Sequence, residues 1–187
     1  TRPARTWNPI RINFQHLWLL ITDAWRAEKW KDKFTIWFKP TGWRPENFET
    51  KYPVTKITNV YNFEKYGMQH SKKLMYWSIF QAAMTLVLIT YMYNSIAIIG
   101  LPNVFIYGAF IFLSVYSYTE LMDERKSSIL WESIRFACGI GLVFYFGDWF
   151  GMNQLLSFAN YVILSYLILS LLTTIYFVSS NFEKETV

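Results

Sequence analysis

Residues 74–99 read LMYWSIFQAAMTLVLITYMYNSIAII, twenty-six positions without a charged side chain. A helix rises about 1.5 Å per residue, so roughly 20 residues cross the hydrocarbon core of a bilayer. This stretch meets that length comfortably and predicts a transmembrane helix. Lys72 and Lys73 stand just before it. Asn94 and Ser95 weaken its far end, and Gly100-Leu101-Pro102 predicts a tight turn.

Three more apolar stretches follow, at 104–118, 134–150 and 155–178. The middle two are marginal spans taken singly. From Leu74 to Ser179 there are eight charged residues: Glu120, Asp123, Glu124, Arg125, Lys126, Glu132, Arg135 and Asp148. All but Asp148 lie between 120 and 135, in the connector TELMDERKSSILWESIRF. Charge is therefore confined to connections, which predicts an all-α integral membrane protein with about four transmembrane helices. Gly139, Gly141 and Gly147 in the third stretch predict close helix approach. Residues 148–153 predict a polar turn, with Asp148 on the aqueous side opposite the connector. Cys138, the single cysteine, sits in an apolar run and reads as a packing residue. Residues 181–187 form a polar tail.

Residues 1–73 differ in kind. They carry 14 Lys and Arg against 6 Asp and Glu, a charge of +8, whereas the remainder carries 4 against 7, or −3. Basic segments also occur in nucleic-acid-binding chains. Beside membrane spans, anionic lipid head groups and a cytoplasmic orientation account for the charge, and no nucleic acid is expected. The bias places both termini on the cytoplasmic side. Six of the nine tryptophans fall before residue 44, and indole favours the membrane–water boundary.

Within this segment, Ile10, Phe14, Leu17, Trp18, Ile21 and Trp25 recur at three- and four-residue steps. That spacing predicts an amphipathic helix, with Asn8 as its cap and Pro9 in its first turn. It is too polar to span, and either lies at the interface or packs under the spans. Trp30, Phe34, Trp37 and Phe38 continue helical spacing until Pro40, Gly42 and Pro45 interrupt it. The Gly42-Trp43-Arg44-Pro45 turn has two readings. It is a rigid corner seating an aromatic at the bilayer surface, which the turn chemistry favours, or part of a lid over a lipid-access route.

Catalytic chemistry is sparse. His16 and His70 are the only histidines, and neither belongs to an HxxH, HxxHH or HExxH pattern. No glycine-rich phosphate loop and no cysteine pair is present. Both histidines read as interfacial or hydrogen-bonded structural residues. Glu132 and Arg135 are three apart and predict an ion pair on one helix face at the membrane edge. Ionisable residues at membrane depth tend to be functional. A solvated connector with a local pair is the simpler expectation.

The run DAWRAEKWKDKFTIWFKPTGWRP, residues 23–45, resembles the segment after the last histidine cluster of the sterol desaturase and fatty acid hydroxylase superfamily. Its nearest likeness is the alkylglycerol monooxygenase-like branch. The opening TRPARTWNP is similar to the stretch just after that cluster, and LMDERKSSILWESIRF to a connector in which an E-x-x-R pair precedes a membrane helix. The resemblance implies a di-iron enzyme that uses dioxygen on lipids. The histidine boxes themselves are not in this sequence. The expectation is therefore a C-terminal membrane part that anchors the enzyme and shapes lipid access, without independent oxygenase activity and without bound cofactor. Trp37, Gly42, Trp43, Arg44 and Pro45 are its candidate lipid entrance. The expected partners are membrane lipids and either an upstream catalytic half or other membrane subunits. An opening on Thr1-Arg2-Pro3 suits a processed terminus or a piece of a longer polypeptide. A non-catalytic membrane subunit or scaffold is the alternative. A transporter is disfavoured because the spans hold little polar material for a substrate path.

Overall fold

The computed structural model describes residues 3–40, 42–46, 48–59, 61–63, 65–67 and 71–182. His70 and the polar tail from 183 lie outside them. Helix is the regular structure among the described residues, with no strand, and the chain divides into two compact units, Thr1–Gly67 and Met68–Val187.

In the first unit, α1 (Pro9–Arg26) starts where the sequence places its cap. The Asn8 side chain accepts from the backbone N–H groups of Ile10 and Arg11, satisfying donors that the first turn leaves free. Two shorter helices follow, α2 (Trp30–Thr35) and α3 (Phe48–Lys51). Helix α2 ends earlier than the aromatic spacing through Phe38 suggests. Turns through Trp37 and Phe38 replace it before Pro40, whose ring disfavours helix in the residue before it.

The second unit contains α4 (Lys72–Asn94), α5 (Ile96–Ile99), α6 (Leu101–Met122), α7 (Ser128–Phe146) and α8 (Ala159–Phe182). Four of these, α4, α6, α7 and α8, are long and apolar enough to cross a membrane, with mean hydropathy from 1.4 to 2.1. The fold is that of an all-α membrane protein. Helix α6 packs on α4 and α7, and α7 on α8. Ser95 divides the first apolar stretch into α4 and α5. The middle two spans run longer than the 104–118 and 134–150 windows. Their 22 and 19 residues absorb most of the charged connector. They can do so because Glu120, Glu132 and Arg135 turn inward and are buried.

The turn after α7 folds back into one end of the bundle. Asp148 accepts from the N–H groups of Gly151 and Asn153. Trp149 is fully buried, edge-on to Tyr107 and Phe110, and its Nε1 donates to the Tyr107 hydroxyl at 3.0 Å. Tyr107 donates in turn to the Leu88 carbonyl, and Tyr91 to that of Phe150. Paired indole and phenol groups of this kind can be buried without loss.

The three glycines of α7 and its cap have three different fates. Gly147 is a left-handed C-cap. Gly141 has open space where a Cβ would stand, so the expected close approach is absent there. Gly139 is the true contact: a Cβ would lie 2.6 Å from Leu167 Cδ1 and 3.2 Å from Phe110 Cε2. Gly139→Val is therefore expected to destabilise the bundle by about 1–3 kcal/mol through overpacking. Gly141→Val should be near neutral, and unfolding in mixed detergent micelles compares the two. Cys138 is exposed on the outer surface of α7, one residue off the packed face, so it does not pack inside.

Candidate functional site

Among the described residues, two sets of side chains gather chemistry, one in each unit.

In the first unit, α1 has two faces. Phe14, Leu17, Trp18, Ile21 and Trp25 fall within one narrow arc and are all exposed, Trp18 at 65% and Trp25 at 85%. The apolar stripe read from the sequence therefore points away from the rest of its unit. The opposite side of α1 carries Leu19, Asp23 and Leu20 toward the segment after Gly42. Asp23 is 1% exposed. Arg44 grips it with a planar fork, Nε to Oδ2 at 2.6 Å and Nη2 to Oδ1 at 2.8 Å, while Nη1 donates to the Tyr52 carbonyl at 2.7 Å. The guanidinium also lies against the Phe48 ring, 5.6 Å from its centroid. Arg44 thus ties α1 to the chain on both sides of α3.

The corner itself needs glycine, since Gly42 has φ +93°. Trp43 donates its backbone N–H to the Pro40 carbonyl, and Pro45 is buried. Gly42, Trp43 and Arg44 line a cavity of about 500 Å3 together with Gln15, His16, Leu19, Leu20, Asp23, Val54 and Lys56. On its other side Trp43 joins Pro45 and Phe48 in a second cavity of about 420 Å3. Glu28 and Lys51 pair at 2.9 Å beside it, and this hydrogen bond and charge hold the Glu28 carboxyl below its usual range. Both groups are exposed, so the pair adds little stability. Trp37 lines neither cavity and sits beyond the end of α2. His16, which reads as merely structural in the sequence, joins the candidate residues because helical spacing puts it one turn from Leu19 and Leu20.

In the second unit, Glu132 and Arg135 pair at 2.5 Å and are almost completely buried. They are not a solvated connector. Ser117 of α6 donates to Glu132 Oε2 at 2.5 Å. Arg135 donates to the hydroxyls of Tyr166 and Ser170 on α8. Gln81 of α4 donates to Ser170 and accepts from Tyr166. All four long helices therefore meet at one polar cluster. Gln81, Ser117, Tyr166 and Ser170 carry no signal in the sequence one by one, since a single polar residue on an apolar helix reads as ordinary. The available signal is the spacing of four and seven residues that sets Gln81, Thr85 and Leu88 on one buried face.

Comparison with known proteins adds one relationship. The chain is 25% identical over 147 residues to alkylglycerol monooxygenase of Homo sapiens, covering 78% of this chain and 32% of that protein. It is 24% identical over 136 residues to alkylglycerol monooxygenase of Xenopus tropicalis, covering 72% and 30% respectively. This chain is similar to the alkylglycerol monooxygenases. It spans about a third of the length of these relatives. No family model matches the chain, and no solved structure does.

Among the described residues no three His, Cys, Asp or Glu side chains converge as a metal site requires. These residues do not fit a di-iron centre. Of the buried acids, Asp23, Asp123 and Glu132 are each paired with an arginine, and Glu120 accepts from the Ser127 hydroxyl.

Proposed function

We propose that this chain is the membrane-embedding part of a lipid oxygenase related to the alkylglycerol monooxygenases. Its catalytic ligands would come from a histidine-rich segment outside the chain. The carrying observation is the similarity over 147 residues to a lipid monooxygenase, in a chain whose four long helices suit a bilayer. The histidine-rich part would supply dioxygen chemistry. This part would hold it at the membrane, with the basic first unit and both termini on the cytoplasmic side, and guide lipid past the corner at 42–45.

Anchoring has a physical basis in the outward stripe of α1. Exposed Trp, Phe and Leu side chains on one arc, in a segment of charge +8, suit the boundary between head groups and acyl chains of an anionic bilayer. With Cys138 replaced by alanine, a nitroxide at Ile21→Cys should collide with dissolved oxygen more than with a water-soluble nickel chelate. One at Asn13→Cys, off the arc, should show the reverse. Equal water accessibility at both positions would remove the anchoring role.

The function is tested by expressing the chain joined to its natural upstream coding sequence, in membranes supplied with an alkylglycerol, a reductant and oxygen. Turnover is expected from the joined protein and not from this chain alone. Stoichiometric iron or turnover in the isolated chain would refute the division of labour. An upstream half that keeps its full kcat/KM without this chain would favour a non-catalytic subunit or scaffold instead.

A further inference from the structure

We infer that the cavity between α1 and residues 42–56 binds one single-chain lipid with an anionic head group. The inference rests on the proposed passage of lipid past residues 42–45 and not on the stripe of α1, which lies on the side of that helix opposite the cavity.

The geometry separates a mouth, walls and a floor. His16, Gly42 and Lys56 line the cavity and are exposed, so they form its mouth. Leu19, Leu20, Trp43 and Val54 are half-buried and form apolar walls. Asp23 and Arg44 close the floor as a pair whose charges and hydrogen bonds satisfy each other. Residues 15 to 23 of α1 run along one side for about 12 Å. The volume of about 500 Å3 lies in the lower half of the range for small-molecule sites, with room for one alkyl chain and not two.

The mouth selects the head group. Of the charged groups lining the cavity, Arg44 and Asp23 cancel, which leaves Lys56. Its partner Glu49 is exposed, and such a pair gives way readily to a better-placed anion. The imidazole of His16 stands at the same mouth as a hydrogen-bond donor. A carboxylate or phosphate on a single chain matches this pattern. A fatty acid and a lysophosphatidate are the two sources of that chemistry.

The test uses the whole chain in phosphatidylcholine nanodiscs with palmitate carrying a mid-chain diazirine. After photolysis, mass spectrometry should place adducts within residues 15–23 or 42–56, and excess unlabelled palmitate should remove them. Leu20→Trp, which fills the space between the walls, should abolish this saturable labelling. Lys56→Glu should weaken it roughly fivefold. Competition by lysophosphatidate stronger than by palmitate assigns the head as phosphate, and the reverse assigns carboxylate. A neutral monoacylglycerol competing as well as either would overturn the anionic head. Adducts confined to the spans, or labelling that does not saturate in the wild type, would overturn the site. The nitroxide at residue 21 keeps the two readings apart. Lipid contact there without saturable adducts sinks the cavity alone, whereas adducts without lipid contact sink the anchoring alone.

Discussion

Arg135→Met is expected to destabilise the second unit by about 3–5 kcal/mol, the typical cost of breaking a buried ion pair from one side. Hydrogen bonds alone would predict less. Interhelical hydrogen bonds in membranes average about 0.6 kcal/mol, and Arg135 donates to two hydroxyls on α8 besides its carboxylate. Most of the cost comes from Glu132, left buried with only Ser117 donating to it. The double variant separates the contribution of charge from that of hydrogen bonding. If uncompensated charge dominates, Glu132→Met added to Arg135→Met should recover at least about 1 kcal/mol, because both charges are then gone. If the hydrogen bonds dominate, the double variant should be worse than either single. Reversible unfolding in mixed micelles, or steric trapping, measures all three. A double variant less stable than Arg135→Met would show that the cluster holds the bundle by hydrogen bonding.

Asp23→Ala should be the most damaging change in the first unit, again by about 3–5 kcal/mol, because it strands the Arg44 guanidinium. Arg44→Lys keeps the charge but loses the fork and the bond to the Tyr52 carbonyl. Its expected cost is smaller, about 1–3 kcal/mol. Lys51→Ala serves as the control, since its pair with Glu28 is exposed and its loss should leave protection unchanged. Hydrogen exchange at residues 42–54 is the readout, with limited proteolysis of the same segment as a second measure. Protection unchanged in Asp23→Ala would mean that packing of Phe48 and Pro45, and not the ion pair, holds the corner.

These two arginines show how differently the sequence exposes its meaning. The Glu132–Arg135 spacing predicts the pair, because three residues bring side chains together on any helix. It does not predict burial. That depends on Ser117, Tyr166 and Ser170, which lie 15 to 35 positions from the groups they bond and meet them only when α6, α7 and α8 pack. The partner of Arg44 is less legible still. Asp23 lies 21 residues earlier and off the apolar stripe of α1, so periodicity assigns it to solvent. The same periodicity locates the stripe correctly and leaves open which way it faces. Glycine behaves likewise: three glycines close together read alike, yet Gly139 meets a neighbour, Gly141 meets nothing and Gly147 ends the helix.

Residue order alone makes this chain helical and suited to a bilayer. Long uncharged runs leave the backbone no partner but itself once water is excluded, and a helix meets that demand locally. Which side chains face one another is settled by packing: the polar cluster shared by four helices, the fork from Arg44 to Asp23, and the cavity beside His16. Each depends on groups far apart in the chain. Their meeting is set by helix packing and loop closure, and neither leaves a periodic trace in the order of residues.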